Sequence, residues 1–324
     1  MSKFIQVPYD PDRLESFERE WLCHKGVSEW WYATGYFHDE SGRLFSFQYT
    51  LVRARVYGVR MYMLMLALTD IETGRHAFVQ QPAFTTKGID IGGKAIRFRD
   101  LTVLTKENDG IRITARAADF AYDLFLGYGK GAFWHCDNGK LQMGIPDKKA
   151  TTLYYSYTNM PLSGTITLDG ATHSVEGKAW FDKQGGTYPI AKPACMWEWF
   201  SLRFFDDEEM MLFSFPQSDY ADGTYIRADG TRERLNRYTV APTKFTTAGG
   251  FQFSCEWEVT LPGLKDGHYQ IRPLTDGQLN LIYFELLAGI YTDSGELAGY
   301  CMVELLPGAY NKKIGISNMF KKLD

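Results

Sequence analysis

Two carboxylates set among aromatic residues are the chemically suggestive feature of this sequence. Asp182 closes the run Trp180-Phe181-Asp182 just before Gly185-Gly186, and Glu285 follows Tyr283-Phe284 in an apolar stretch. A carboxyl group held against aromatic walls is poorly solvated as an anion, so it tends to keep its proton and can deliver it near neutral pH. Protonating a double bond or a carbonyl, or removing a proton beside one, uses such a group. His135, in Phe133-Trp134-His135-Cys136-Asp137, adds a proton shuttle whose tautomer Asp137 or a backbone carbonyl would fix. Asp182, His135 and Glu285 are therefore the expected catalytic groups. Plainer roles stand beside these: Asp182 capping its turn or pairing with Lys183, and His135 as a satisfied partner at a strand end.

Around these groups, aromatic and amide side chains would form the substrate's walls. Trp30, Trp31, Trp180, Trp197 and Trp199 supply flat apolar surfaces, and Tyr32, Gln48, Tyr155 and Tyr283 supply hydrogen-bonding handles, with Lys183 beside the acid. Glu29 and Glu198 each begin a Glu-Trp-aromatic run. Duplicated in this way they are expected to be structural, and if buried each must be paired, because an isolated carboxylate in an apolar interior is costly.

The elements that must hold these residues repeat. Glu29-Trp30-Trp31-Tyr32 precedes Leu44-Phe45-Ser46-Phe47-Gln48, and Glu198-Trp199-Phe200 precedes Leu212-Phe213-Ser214-Phe215. Each copy closes on a hairpin ending in a carboxylate, 164–182 in the first and 289–304 in the second. Two copies of one supersecondary plan follow. Phe45, Phe47, Tyr49 and Leu51 alternate with Ser46, Gln48 and Thr50 as in a strand with one polar side, while 61–68 is apolar on both faces. Asn108-Asp109-Gly110, Asp169-Gly170, Asp222-Gly223, Asp229-Gly230 and Ser294-Gly295 read as hairpin turns. Asp10-Pro11 with Leu14, Phe17, Trp21 and Leu22 predicts one short helix before the sheet. The Gly/Pro-rich stretch 185–193 predicts a linker, giving domains 1–190 and 191–324. The expected class is all-β, two antiparallel barrels, each able to hold side chains or one ligand.

Composition narrows the functions. A chain of 324 residues with 45% hydrophobic content and a net charge of −4 is a globular protein without general attraction for nucleic acid, although Lys312, Lys313, Lys321 and Lys322 make a locally basic tail. Neither a secretory run nor a membrane-length apolar segment is present, so the expected location is the cytoplasm. Five scattered cysteines without a CxxC pair argue against a disulfide framework and against a zinc site. The phosphate-loop, dinucleotide, HExxH and GxSxG patterns are absent, so no cofactor or metal is expected.

Six stretches taken in order carry a family likeness: 29–32, 45–48, 153–158, 175–182, 197–202 and 283–285. Together the chain resembles the AttH and carotenoid 1,2-hydratase group of lipocalin-like (calycin) proteins over nearly its whole length. The resemblance implies two calycin-type β domains with a ligand cavity near their junction, and a choice among hydratases of isoprenoid double bonds, cyclases and proteins of other role. In the hydratase pattern Asp182 is followed by a histidine and, two residues later, a tryptophan. Here those positions are Lys183 and Gly185, which speaks against carotenoid hydration itself.

The expected function is a cofactor-independent lyase or isomerase, such as a hydratase, dehydratase, double-bond isomerase or cyclase. Its substrate would be a hydrophobic unsaturated small molecule such as a terpenoid or polyketide. The alternative is a non-catalytic carrier of the same kind of ligand. Self-association as a homodimer is left open.

Overall fold

The computed structural model describes residues 4–312 except 57, 148, 190, 191 and 282. Lys313, Lys321 and Lys322 of the basic tail, and the middle of the expected linker, lie outside the described residues. The chain divides into two compact units, residues 1–134 with 152–187 and residues 135–151 with 188–324. The segment 135–151 thus leaves the first half of the sequence to join the second unit.

The first unit is a curled antiparallel sheet. Its strand order is Arg75–Ala83, Val59–Asp70, Leu44–Val56, Ser28–Asp39, Ala171–Thr187, Thr151–Leu168, Phe120–Gly127, Gly110–Arg116, Thr102–Lys106, Ala95–Phe98 and Ile89–Gly92. Local hairpins build most of this order. One long-range pairing joins the opening strand Ser28–Asp39 to the closing strand Ala171–Thr187, with Tyr32 opposite Asp182 and Trp31 opposite Lys183. Two-residue periodicity sends Trp31, Phe45, Phe47, Tyr49, Leu64 and Phe181 into the core. The alternate residues Ser46, Gln48, Thr50, Met61 and Met63 are buried too, so these central strands are covered on both faces.

Close approach of the opening and closing strands needs a glycine. A Cβ on Gly177 would lie 2.1 Å from the Tyr36 carbonyl oxygen and 2.5 Å from the Phe37 Cα. The short helix is smaller than its sequence suggests, spanning Phe17–Glu20 with Ser16 as its N-cap. Asp10 does not start it. The Asp10 carboxylate instead accepts from the Asp12 N–H at 3.0 Å and closes a local turn, which competes with helix formation.

The second unit repeats the plan. Its order is Arg232–Leu235, Tyr220–Ile226, Glu209–Phe215, Glu198–Phe204, Leu297–Leu305, Tyr283–Tyr291, His268–Pro273, Phe251–Thr260 and Thr239–Ala248. Again the opening strand pairs with the closing one, Phe200 opposite Val303 and Ser201 opposite Met302. Phe200, Leu202, Leu212, Trp257, Ile271 and Val303 form its core. Asp222-Gly223 is not a turn here but lies inside the strand Tyr220–Ile226. A Cβ at Gly223 would meet the Met211 carbonyl oxygen at 2.7 Å, so the glycine serves close strand packing.

Candidate active site

Successive residues of the paired strands Thr151–Leu168 and Ala171–Thr187 serve opposite faces, and this sorts the expected site residues. Tyr155 and Phe181 belong to the core. Tyr154, Ser156, Trp180 and Asp182 point to the other face and are equally buried. There Asp182, 4% exposed, gathers three donors. The Tyr154 hydroxyl donates to Oδ2 at 2.9 Å, the Trp180 indole N–H to Oδ1 at 2.5 Å, and the Ser156 hydroxyl also to Oδ1.

Tyr32 stands directly opposite Asp182 on the neighbouring strand, and Thr50 opposite Tyr32 on the next. Gln48 donates to Thr50 at 2.8 Å, and Gln184 to Thr152 at 2.7 Å. A carboxylate with hydroxyls, amides and an indole therefore forms a buried polar ribbon across four strands. Of the expected aromatic surroundings of Asp182, Trp180 contributes its N–H edge and Tyr154 its hydroxyl. With donors at both oxygens, Asp182 is the acceptor of this ribbon.

Lys183, expected beside Asp182 as a substrate contact, serves the opposite face. Its ammonium group bonds Glu29 at 2.8 Å and lies 4.4 Å from the centre of the Trp31 ring. Glu29 is fully buried and also accepts from Arg53 Nη1 at 2.8 Å, the His24 N–H at 3.0 Å and His24 Nδ1 at 3.2 Å. Burial alone would raise its pKa. Lys183, His24 and Arg53 outweigh that and hold it at about 2. His24 also contacts Glu20 at 3.1 Å. Burial opposes protonation of His24, but the bonds to Glu20 and Glu29 prevail and raise its pKa. Trp31 donates its indole N–H to the Trp21 carbonyl at 2.9 Å, and Trp30 is half-buried.

In the second unit His135 is fully buried, and its Nδ1 lies 2.8 Å from the Thr224 hydroxyl. Burial, with the nearby charge of Arg232, lowers its pKa well below 6.5. Asp137 does not orient it, because Asp137 pairs with Arg234 at 2.5 Å. Glu285 faces away from the core and sits directly opposite Glu304, which in turn is opposite Trp199. Glu304 accepts the Trp197 indole N–H at 2.9 Å. Tyr283 is buried on the Glu285 strand.

Glu304 was not among the residues picked from the sequence. Its place at the end of the second closing hairpin was the available signal. Glu198, the counterpart of Glu29, meets neutral donors only: Ser254, Trp257 at 3.3 Å and Tyr310 at 3.0 Å. Burial raises its pKa. The expected catalytic trio is thus divided, Asp182 in one unit and His135 with Glu285 in the other. A possible cation cluster of Asp39, Glu40 and His173 lies at a hairpin end, where Asp39 is already engaged by Ser41, Arg43 and His173.

Comparison with known proteins follows the same architecture. A model of the AttH-like family matches residues 8–308. The crystal structure of an AttH protein from Nitrosomonas europaea has 23% identity and a TM-score of 0.82, covering 93% of this chain and 99% of that one. Kievitone hydratase from Nectria haematococca has 16% identity and a TM-score of 0.69, with 86% and 88% covered. CghA, solved with Sch210972, has 10% identity and a TM-score of 0.51, with 89% and 90% covered. These likenesses are of fold. No curated protein matches the sequence.

Proposed function

The chain belongs to the AttH-like family, and from that premise we propose that it is a cofactor-independent lyase or isomerase for a hydrophobic, unsaturated small molecule. The observation that carries the reading is the Asp182 carboxylate, buried and contacted by the hydroxyls of Tyr154 and Ser156. In water addition, Asp182 takes a proton from the attacking water as its oxygen bonds to carbon. A hydroxyl in contact with Asp182 gives its proton to the adjacent carbon and regains one from Asp182, so one O–H bond and the C=C π bond break while one C–O and one C–H bond form. Elimination is the reverse, and a double-bond shift uses the two proton transfers without water. Glu285 and Glu304, side by side in the second unit, are a further pair of groups able to exchange a proton. His135, Trp197, Trp199, Tyr32, Gln48 and Tyr283 are proposed as positioning or lining residues.

Support for the hydratase branch is the shared fold with an enzyme named kievitone hydratase. No helix of the described residues is long and apolar enough to cross a membrane. Five free cysteines fit a reducing compartment, which makes the cytoplasm the proposed location. Incubating the protein with a panel of prenylated and conjugated alkenes, kievitone included, in ¹⁸O-labelled water and following mass gain tests the proposal. Product is expected with at least one substrate, and Asp182→Asn should reduce turnover by roughly 100-fold or more. Unchanged turnover in Asp182→Asn removes the assignment. A carrier is the second reading, favoured by the full set of internal bonds to Asp182. It predicts saturable ligand binding without product.

A further inference from the structure

Segments 41–69 and 73–89 contain no aspartate or glutamate, although the chain as a whole carries 39 acidic residues against 35 basic ones. Both segments belong to the first unit. They hold the exposed cations Arg55, Arg60 and Lys87. They also hold two of the three most exposed large apolar side chains among the described residues, Val59 at 55% and Phe84 at 61%. Exposed apolar groups are unremarkable when scattered, but gathered among cations in an acidic protein they mark an interaction surface.

Pairing register brings these residues to one end of the sheet. Val59 opens the strand Val59–Asp70, where Arg60 stands opposite Arg55, and Arg55 Nε donates to the Gly58 carbonyl at 3.0 Å. Tyr62, two residues on, stands opposite Ala83, so Phe84 leaves the neighbouring strand next to the same turn and Lys87 follows it. The N-terminal segment arrives there too. Phe4 packs its ring 5.6 Å from that of Tyr62, and Ile5, 43% exposed, donates its N–H to the Ile91 carbonyl at 3.1 Å. Lys25, exposed and tied through its N–H to the Val7 carbonyl at 2.9 Å, adds a fourth cation. Asp90, the acid that follows Lys87 in the chain, is half-buried and stands opposite Arg97. The exposed phenylalanines of the second unit are placed differently: Phe205 lies edge-on to Tyr300 at 5.5 Å and Phe245 edge-on to Tyr310 at 5.0 Å.

Apolar side chains ringed by cations match a partner that is negative at its surface and apolar just beneath it. A nucleic acid would satisfy the cations but offer Phe84, Val59 and Ile5 nothing to enter. We propose that this end of the first unit docks on an anionic lipid bilayer, with Phe84, Val59 and Ile5 entering the headgroup layer and the four cations around them meeting lipid phosphates and carboxylates. The charge part of such binding is screened by salt, whereas the apolar part is not. Docking requires no turnover, so it stands or falls separately from the reaction assigned to Asp182.

Co-sedimentation of the full chain with vesicles tests this, using phosphatidylcholine alone and phosphatidylcholine mixed with phosphatidylserine. The mixed vesicles are expected to bind at least about tenfold more tightly, and less tightly as salt is raised. Phe84→Ser and Val59→Ser should each weaken that binding severalfold at low and high salt alike, and Arg60→Glu should weaken it most at low salt. Phe205→Ser, which removes an equally exposed ring from the second unit, should leave it unchanged. All four side chains are exposed, so each variant should keep the parent's thermal midpoint, which circular dichroism checks. Absence of binding to the mixed vesicles, equal affinity for the two kinds, or unchanged binding in Phe84→Ser and Arg60→Glu overturns the inference, as does a loss in Phe205→Ser as large as that in Phe84→Ser. Retention of duplex DNA in place of the mixed vesicles overturns it in favour of a nucleic acid.

Discussion

Replacing Glu29 and Glu198 separately by glutamine should give opposite results, although the two occupy matching places. At Glu29 the substitution leaves Arg53 and Lys183 buried without their anion, at side-chain exposures of 4% and 3%. The new amide also points N–H donors toward an ammonium group. Breaking one partner of a buried pair costs about 3–5 kcal/mol. The linkage argument agrees. A carboxyl held at about 2 against an ordinary 4.5 gains roughly 3 kcal/mol in its ionised form. Since the folded value is depressed, that stability is complete above pH 4.5 and is lost as pH falls from 4.5 toward 2.

At Glu198 the sign reverses. Burial raises its pKa, so the folded state holds the proton more firmly than the unfolded chain, and ionisation at higher pH costs stability. Glutamine keeps an acceptor for Ser254 and Trp257, offers N–H to Tyr310, and removes the ionisation. Glu198→Gln should be neutral or stabilising at pH 7 to 8, by about 1 kcal/mol or less. Urea unfolding of both variants at pH 7, followed by tryptophan fluorescence and circular dichroism, measures the difference. Equal losses for the two, or a loss below about 1 kcal/mol for Glu29→Gln, would refute the charge-network reasoning.

His135, buried and bonded to Thr224, should remain neutral well below pH 6.5. Its ring resonances should therefore stay fixed as pH falls from 8 to about 6, and a titration centred near the ordinary histidine value would contradict this. Its depressed pKa also means that the stability it contributes is present above pH 6.5 and declines as the unfolded chain takes up protons below it. Gly177→Ala should destabilise the first unit by about 3 kcal/mol, because the added methyl meets backbone that cannot yield cheaply. A thermal midpoint within about 2 °C of the parent protein would show that the strands open without strain.

The sheet strands and the doubling of the fold were legible because both rest on local signals: two-residue alternation and repeated short runs. The face assignment followed from the same alternation, with Phe45, Phe47 and Tyr49 on the core face and Gln48 and Thr50 on the other, although that second face is buried as well. What the sequence did not reveal depends on pairing register. Asp182 and Glu304 both end closing hairpins, yet Asp182 stands opposite Tyr32 whereas Glu304 stands opposite Trp199, two places from Tyr32's counterpart Ser201. They are not equivalent residues. Lys183 follows Asp182 directly and so faces away from it, a consequence of strand geometry that proximity in sequence conceals. Asp222-Gly223 looked like a turn because its residue types suit one. Packing against Met211 used the glycine instead.

Register also explains how one plan came to hold two different acids. Glu29 lies opposite Arg53, and Trp31, two residues on, lies opposite Lys183. In the second unit the corresponding partners are Ser214, opposite Glu198, and Val303, opposite Phe200. Two changes of residue type on neighbouring strands thus turn a cation-clamped carboxylate into one that receives only neutral donors. The first arrangement rigidifies the end of the opening strand through charge, and it ties that strand to the closing strand bearing Asp182 on its other face. A carboxylate used for proton transfer must keep its donors within a few tenths of an ångström. Within the Glu29 network, Lys183 directly follows Asp182 on the closing strand, so this charge pair ties the opening and closing strands together next to the Asp182 position.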